Sequence, residues 1–473
     1  MDGADFINSI PDEIQSGIMD GAHFINSMPD EILHHILSFM PTESAMKTCV
    51  LSKRWRHVWC ESPSLDIDCD CKYKARNIKQ NLISYTAPKI TSFKFRMDLE
   101  NSAAEIDSWL EFAISRNVQN LYVKILARMI YGVNLTDGKT YNFPDFFYRS
   151  SSLKQLSVLH ENDIMKPRCT VSWKSLRKLS LRCCKLGDKS MHNILSGSPI
   201  LESLTLYGCR LLERLDLSNS PSLRRLEIDR TIKHSGPIMI VAPHIHYLSL
   251  INSYKPSTLL DVSSLTEANL DISIGTREAR LCQTMAIGML AKSRNVERLN
   301  LGPTFLKILS LAELRGAPFP TLNVQTLIIK TEFVRSIIPG IARLLLTSPG
   351  LKTLTVDTME LHLHKRDTYL EHYSDSQGLS PHRCWRSEYE VFPTSKEIYT
   401  MLGCNHATSK LLASFMEFVL GNAKTLERMV ICLGGIYLND DEQWFEELLQ
   451  LVGTLSHHNN VSIVLKPKNY FKY

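Results

Sequence analysis

A triplet of apolar residues, written LxxLxL, recurs along most of this chain and constrains its fold more than any other feature. Clear copies begin at Leu153, Leu176, Leu201, Leu223 and Ile245. Between positions 176 and 265, the first residues of successive copies are 25, 22, 22 and 20 residues apart. A period of about 20 to 29 residues is typical of arrays in which each unit contributes a strand and stacks on its neighbour. The spacing therefore predicts a stacked array.

The triplet also predicts which side chains are buried. Its last two apolar residues lie at i and i+2 on a short strand and face the core, while the residue between them faces outward. Longer units leave room for outer helices, which we expect before Val296 and before Leu351. Cys184 and Cys209 follow two triplets at the same distance, so we interpret both as buried structural thiols. The predicted fold class is α/β, with an irregular leucine-rich-repeat solenoid over residues 88–357.

Composition argues against several classes of protein. Of the 473 residues, 44% are hydrophobic and 22% are charged. No run of about 18 uncharged apolar residues is present, so we expect no membrane span. Twelve cysteines are too dilute for a secreted disulfide scaffold. The acidic N-terminus differs from a secretory signal, and we therefore expect the nucleus or the cytoplasm.

The net charge of +5 is unevenly distributed. Residues 1–62 carry −5, which leaves +10 for the remaining 411 residues. Such a dilute excess is well short of the clustered basic face that nucleic-acid binding requires. We therefore expect no nucleic-acid partner.

A short segment at the N-terminus is duplicated. Residues 1–14 recur at 19–32 with 12 of 14 positions identical. Only the second copy continues into a helical pattern, because QSGI follows the first copy and LHHILSFM follows the second. We interpret residues 1–18 as a disordered duplicated tail. The alternative is a regulatory mimic that competes for the same groove.

The segment from Met28 to Pro63 has helical periodicity. Its first helix carries one apolar stripe, formed by Ile32, Leu33, Ile36, Leu37 and Met40. Two tryptophans follow in the third helix. Some 35 residues cannot bury two tryptophans and about eight aliphatic side chains within themselves. The covering surface belongs either to another protein or to the rest of this chain, and the physical argument leaves both open.

This segment, SMPDEILHHILSFMPTESAMKTCVLSKRWRHVW, closely resembles the F-box, the three-helix module that docks F-box proteins on the Skp-family adaptor of cullin ubiquitin ligases. The match includes Pro-Asp-Glu-Ile at the start, Ile-Leu-Ser before Pro41, and Leu-Ser-Lys-Arg-Trp at the end. The resemblance implies an F-box over residues 19–63 and nine candidate adaptor-binding residues. Trp55 is the strongest candidate, because buried aromatic side chains dominate binding energies. The nine are Pro29, Ile32, Leu33, Ile36, Leu37, Val50, Leu51, Trp55 and Trp59.

The C-terminal region carries a second resemblance. Its segment SFMEFVLGNAKTLERMVICL is similar to the FBD region of plant F-box and leucine-rich-repeat proteins, which implies an FBD-like cap over residues 396–473. Residues 358–395 lack the triplet, so we expect a long loop or insertion. They contain five candidate metal ligands without the paired spacing of a zinc site, and we expect no metal ion. These five are His362, His364, His372, His382 and Cys384.

Catalytic motifs are absent from the sequence. It has no phosphate-binding glycine loop, no His-Glu-x-x-His and no Gly-x-Ser-x-Gly, so we expect neither an enzyme nor a cofactor. The F-box resemblance implies a substrate-recognition adaptor of a Skp-cullin-F-box ubiquitin ligase, with the repeats binding a target protein. Two alternatives remain, a non-degradative interaction scaffold and a small-ligand receptor.

Overall fold

The computed structural model describes most of the chain, in the ranges 27–69, 82–98, 103–126, 129–130, 133–134, 141–160, 165–230, 236–251, 257–272, 279–358, 378, 392–393, 397, 405–434 and 442–467. The chain divides into two compact units. Unit 1 comprises Met1–Lys185 and Asn193–Leu201, and unit 2 comprises Leu186–His192 and Glu202–Tyr473. The duplicated tail and nearly all of the predicted insertion at 358–395 lie outside the described residues.

Three short helices open the described part of unit 1. They are α1 (Asp30–Leu37), α2 (Thr42–Lys47) and α3 (Trp55–Val58), and single 3-10 turns follow α2 at Thr48–Val50 and α3 at Trp59–Glu61. Prolines precede two of the helices, since Pro29 and Pro41 stand directly before α1 and α2 with ψ angles of 148° and 139°. The helical periodicity predicted for this segment is confirmed.

Five parallel strands form the sheet of unit 1. They are β1 (Ser64–Cys69), β2 (Ser92–Asp98), β3 (Asn120–Leu126), β6 (Gln155–His160) and β7 (Lys178–Arg182). An antiparallel pair, β4 (Met129–Ile130) and β5 (Val133–Asn134), stands apart from this sheet. The remaining elements are α4 (Ala103–Ser115), α5 (Asp145–Tyr148) and a 3-10 turn at Leu82–Ser84.

Successive triplets stack in register in this sheet. Leu65 pairs with Phe93, and the same row continues through Leu121, Leu156 and Leu179. All five side chains are at most 2% exposed. Each strand therefore buries its apolar residues against those of the next strand, and the predicted inward face of the triplet is confirmed.

Unit 2 contains nine parallel strands, each paired with the next. They are β8 (Ser203–Tyr207), β10 (Arg225–Asp229), β12 (Tyr247–Ile251), β14 (Glu267–Leu270), β15 (Arg298–Leu301), β16 (Thr326–Thr331), β17 (Thr353–Thr358), β18 (Arg428–Leu433) and β19 (Ser462–Pro467). Together with the helices, these strands confirm the predicted α/β class.

A second, three-stranded sheet also belongs to unit 2. It consists of β9 (Arg214–Asp216), β11 (Ile238–Val241) and β13 (Ser257–Asp261), with β11 in the middle. An additional apolar triplet at Leu212, Leu215 and Leu217 marks the first of these strands in the sequence, whereas no triplet marks the other two.

Helices cover the longer repeats, as the spacing predicts. Helix α6 (Asp188–Ser196) contains one of the three points where the chain passes from one unit to the other, and five more helices follow in unit 2. They are α7 (Ala279–Lys292), α8 (Pro303–Leu314), α9 (Ile338–Thr347), α10 (Asn405–Asn422) and α11 (Glu442–Asn459), with a 3-10 turn at Arg335–Ile337. The two helices expected before Val296 and Leu351 are α7 and α9.

Equivalent turns end strands β7 and β8. Cys183 follows β7 with a φ of 58°, and Gly208 follows β8 with a φ of 61°. The next residues, Cys184 and Cys209, are both buried, as predicted. A left-handed backbone costs a residue with a Cβ roughly 1–2 kcal/mol, and glycine avoids most of this cost. Cys183 therefore occupies a left-handed position at which the equivalent turn after β8 has Gly208, and glycine is better suited to this backbone conformation.

The carboxylate of Asp271 caps a helix from outside it. Asp271 follows β14, and its Oδ1 accepts the backbone N–H of Phe305 in the first turn of α8 at 3.3 Å. The carboxylate lies against Gly302, where a Cβ would have no room. Burial raises the pKa of Asp271 to about 6, although backbone donors and the charge of Lys330 act in the opposite direction.

We expect Cys183→Gly to stabilise the protein by up to about 1 kcal/mol, because it removes the left-handed strain at the end of β7. Thermal unfolding monitored by circular dichroism would measure the effect. Cys183→Ala is the matched control, since it removes the thiol but keeps the Cβ. Equal melting temperatures for the two variants would contradict the strain argument.

We expect Asp271→Asn to change how stability depends on pH. The folded-state pKa of Asp271 lies above the usual 3.8, so the protonated acid contributes to the stability of the fold. This contribution is fully present below about pH 4 and is lost as the pH rises through about 6. The difference between these two pKa values corresponds to a change of at most about 3 kcal/mol in the free energy of unfolding. The variant should therefore gain stability relative to the wild type between pH 4 and 7, measured by melting temperature. A difference that is constant with pH would contradict the assignment.

Candidate functional site

Helix α1 carries apolar side chains on two faces. Leu33 and Leu37, one turn apart, are buried, whereas the adjacent row of Ile32 and Ile36 is exposed. Phe39 continues the exposed row just beyond the end of the helix and is 77% exposed. One face of the helix thus contributes to the core, and the other leaves an apolar row in solvent.

A second exposed apolar pair follows α2. Val50, in the 3-10 turn, is 83% exposed, and Leu51 beside it is also exposed. Five of the twelve large apolar side chains that are exposed in the described part of the chain therefore lie within residues 32–51. Concentrated apolar exposure is typical of surfaces that bind another protein. We call these five residues the exposed apolar set: Ile32, Ile36, Phe39, Val50 and Leu51.

The structure divides the nine predicted adaptor-binding residues into two groups. Five are exposed, namely Pro29, Ile32, Ile36, Val50 and Leu51. Four are buried within this chain, namely Leu33, Leu37, Trp55 and Trp59. Trp55, the strongest candidate, is only 4% exposed. The assignment of all nine residues to an adaptor interface stays a prediction, and these four offer a partner little area because their own chain encloses them.

Phe39 was not among the predicted residues. It lies seven positions after Ile32, so the helical spacing that identified Ile32 and Ile36 includes it as well. The apolar stripe predicted from the sequence includes Met40 instead, and Met40 is half-buried. Phe39 could have been predicted from the sequence by continuing the row of Ile32 and Ile36 past the last helical turn.

Arg54 fixes the start of α1 relative to α3. Its Nε donates to Oδ1 of Asp30 at 3.0 Å, and its terminal nitrogen donates to the same oxygen and to the carbonyl oxygen of Met28, the latter at 2.5 Å. Ion pairs that are largely solvated contribute at most about 1 kcal/mol. The contribution of Arg54 is therefore mainly geometric, since it holds the Met28–Asp30 turn in place.

The helical segment is anchored to the first repeat of its own chain. The Thr42 hydroxyl oxygen accepts the backbone N–H of Asp66 in β1 at 2.8 Å. The hydroxyl of Tyr85 donates to the carbonyl oxygen of Ser62 at 2.7 Å, and burial raises the pKa of this hydroxyl. The segment thus packs on its own chain and still leaves the side chains of the exposed apolar set 40% to 83% exposed.

The outward strand positions form a second candidate surface, which is polar. In unit 2, the Arg225 guanidinium carbon lies 3.7 Å from the ring centroid of Tyr247, and Arg225 also pairs with Glu227 at 2.7 Å. The Asn269 amide donates to the Ser249 hydroxyl at 3.0 Å. The contacts of Arg225 with Tyr247 and of Asn269 with Ser249 connect neighbouring strands, whereas Arg225 and Glu227 lie on the same strand.

Within the described ranges of the chain, no group of three or more His, Cys, Asp and Glu residues could hold a metal ion. None of the described helices combines the length and the apolar character needed to cross a bilayer. The five candidate ligands between His362 and Cys384 lie outside the described residues.

Two family profiles match the chain. The profile described as "F-box domain" matches residues 25–66, which include the whole exposed apolar set. The profile described as "FBD-associated F-box protein At5g56370, LRR repeats" matches residues 106–356, which is more than half of the chain.

Full-length relatives lead to the same family. F-box/LRR-repeat protein At3g28410 of Arabidopsis thaliana is 63% identical over 99% of this chain and 95% of its own length. F-box/LRR-repeat protein At5g02910 of the same plant is 49% identical over 100% of this chain and 97% of its own length. The protein described above is therefore a member of the F-box/LRR-repeat family.

Proposed function

We propose that this protein is the substrate-recognition adaptor of a Skp-cullin-F-box ubiquitin ligase. In this role the three-helix F-box docks on the Skp-family adaptor, and a leucine-rich-repeat solenoid binds the target. The observation that carries the proposal is the exposed apolar set, which lies inside the matched F-box and is left open by the rest of the described chain.

Burial of this set supplies the driving force. Fully burying one Val, Leu, Ile or Phe side chain is favourable by about 1.5–3 kcal/mol. Five such side chains on one short segment offer enough apolar surface for a stable contact, although part of the gain offsets the entropy lost on association. Leu33, Leu37 and the two tryptophans act indirectly in this proposal, because they are buried within the chain, where α1 packs against α3 and the turn that follows it.

The repeats contribute a rigid polar surface. The nine in-register strands of unit 2 support a solenoid, since stacked strands bury a continuous core and present their outward residues in rows. A target held on these rows has a high effective concentration near a ubiquitin-conjugating enzyme carried by the same assembly. The chemistry would belong to other subunits, so this chain needs neither a catalytic residue nor a cofactor. We place this role in the nucleus or the cytoplasm, where cullin ligases act.

The double variant Phe39→Glu with Val50→Glu tests the docking surface. Both side chains are almost fully in solvent, so the fold should be retained, whereas burying two carboxylates against an apolar partner is strongly unfavourable. We expect co-purification with the Skp-family adaptor to fall by roughly 30-fold or more, which is equivalent to about 2 kcal/mol. The measurement is quantitative pull-down of full-length protein with a purified adaptor.

Two other variants sharpen this test. Leu346→Glu places the same charge at a residue of α9 that is 51% exposed, and it should leave adaptor binding unchanged. Trp55→Ala removes a buried side chain and should lower the melting temperature, at a cost of about 3–5 kcal/mol. Undiminished adaptor binding by Phe39→Glu with Val50→Glu, or an equal loss in Leu346→Glu, would refute the docking surface.

The presence or absence of cullin in the adaptor complex distinguishes a ligase subunit from a non-degradative scaffold. If the protein is a ligase subunit, the adaptor complex of the wild type should contain cullin, and loss of the protein should stabilise its target. An adaptor complex that repeatedly lacks cullin would contradict the ligase role and leave the scaffold as the function.

A further inference from the structure

Arg230 places a positive charge inside unit 2. It directly follows β10 and continues the buried row that Leu226 and Ile228 begin on that strand. Its side chain is only 4% exposed, and no other Lys, Arg, Asp or Glu among the described side chains is enclosed so completely. Burial lowers the pKa of the guanidinium, but arginine stays protonated in proteins. The charge therefore needs a partner within the fold or from outside it.

No described carboxylate pairs with this guanidinium. None of the ion pairs between described residues includes Arg230. Its Nη2 donates to the carbonyl oxygen of Gly236, and its buried Nε has no hydrogen-bond partner. Burying a charge is strongly unfavourable unless an opposite charge pairs with it. The structure therefore encloses a cation whose hydrogen bonding is incomplete.

The two donors form one edge of the guanidinium. The N–H groups of Nε and Nη2 point in the same direction, so one carboxylate can accept both. Two less buried arginines of this protein use that edge for a carboxylate. Arg54 donates from both nitrogens to Asp30, and Arg225 does the same to Glu227. At Arg230 a neutral carbonyl occupies half of the equivalent edge.

The backbone of Arg230 is fixed, whereas the group that its Nη2 contacts has room to move. The N–H of Gly208 donates to the carbonyl oxygen of Asp229 at 2.7 Å, and the N–H of Arg230 donates to that of Ile251 at 3.2 Å. These bonds tie the end of β10 to both neighbouring repeats. Gly236 is exposed, and a Cβ there would meet no atom within 4 Å beyond its neighbours in the chain. Another acceptor can therefore replace the Gly236 carbonyl without moving the arginine.

We propose that Arg230 binds a single carboxylate group, which displaces the Gly236 carbonyl and accepts from both Nε and Nη2. One negative charge matches one guanidinium, whereas a phosphate group carries about −1.5 to −2 at pH 7 and would leave an excess charge buried. The carboxylate belongs to the end of a bound peptide or to a free small acid, since both present the same two oxygens. The inference goes beyond the proposed function, because this binding requires neither the adaptor nor cullin.

A matched pair of small ligands tests the proposal on the full-length protein by isothermal titration calorimetry. N-acetylglycine ends in a carboxylate, and N-acetylglycinamide is its neutral analogue. We expect the acid to bind about tenfold more tightly than the amide, because a charge-assisted pair of hydrogen bonds replaces one bond to a neutral carbonyl. Inorganic phosphate at the same ionic strength should bind more weakly than the acid.

Substitutions separate ligand binding from a purely structural role. Arg230→Met removes the buried charge, so it should abolish the preference for the acid without lowering the melting temperature of the ligand-free protein. Arg230→Lys keeps the charge but not the two parallel donors, and it should weaken binding of the acid about tenfold. If Arg230→Met does not fold, Arg230→Lys still tests the site. The matched control is Arg225→Met, which makes the same exchange at an outward position of β10 and should keep the preference.

Two further ligands identify the source of the carboxylate. Tighter binding of N-acetyl-Gly-Gly-Gly than of acetate would assign the site to the end of a peptide, whereas acetate binding at least as tightly would assign it to a small acid. Equal affinities of N-acetylglycine and its amide would overturn the inference. So would a preference for the acid that survives in Arg230→Met, an equal loss in Arg225→Met, or tighter binding of phosphate.

Discussion

Helix α1 has two apolar faces, and the described part of its own chain buries only one of them. The face with Leu33 and Leu37 is enclosed together with Trp55 and Trp59, while the row that ends at Phe39 remains in solvent. Exposed apolar area of this density is unfavourable for an isolated soluble protein. The architecture of the N-terminal segment is therefore explained most simply by a partner that completes the coverage.

The repeats also have apolar surfaces that must be covered, and here neighbouring repeats of the same chain cover one another. A single strand with two inward leucines has no core of its own, and each repeat supplies the missing surface to the next one through rows such as Leu121, Leu156 and Leu179. The first strand of this row, β1, also carries the contact from Asp66 to Thr42. The helical segment is thus held by the beginning of the repeat array, which fixes its buried face and leaves the other face accessible.

Much of this fold could be predicted from the sequence, because the repeat imposes local rules. The triplets identified the strands, the longer spacings identified α7 and α9, and the equivalent cysteines were correctly placed in the core. Strands β11 and β13 were missed, since they are short and fall between the repeat positions. The order of apolar residues could not show which face of α1 meets its own chain, because that depends on how α1 packs against α3 and the turn at Trp59–Glu61. The burial of Trp55 could not be predicted for the same reason, since a large aromatic side chain is equally suited to a core and to an interface.

The central claim is that the solvent-facing row of α1 is the place where the Skp-family adaptor binds. Photocrosslinking measures this directly, with a photoreactive phenylalanine analogue introduced at position 39 and, in a parallel sample, at position 346. The account predicts that irradiation joins the adaptor to the protein labelled at position 39 and not to the protein labelled at position 346. A complex that forms normally but yields no adaptor crosslink from position 39 would contradict it.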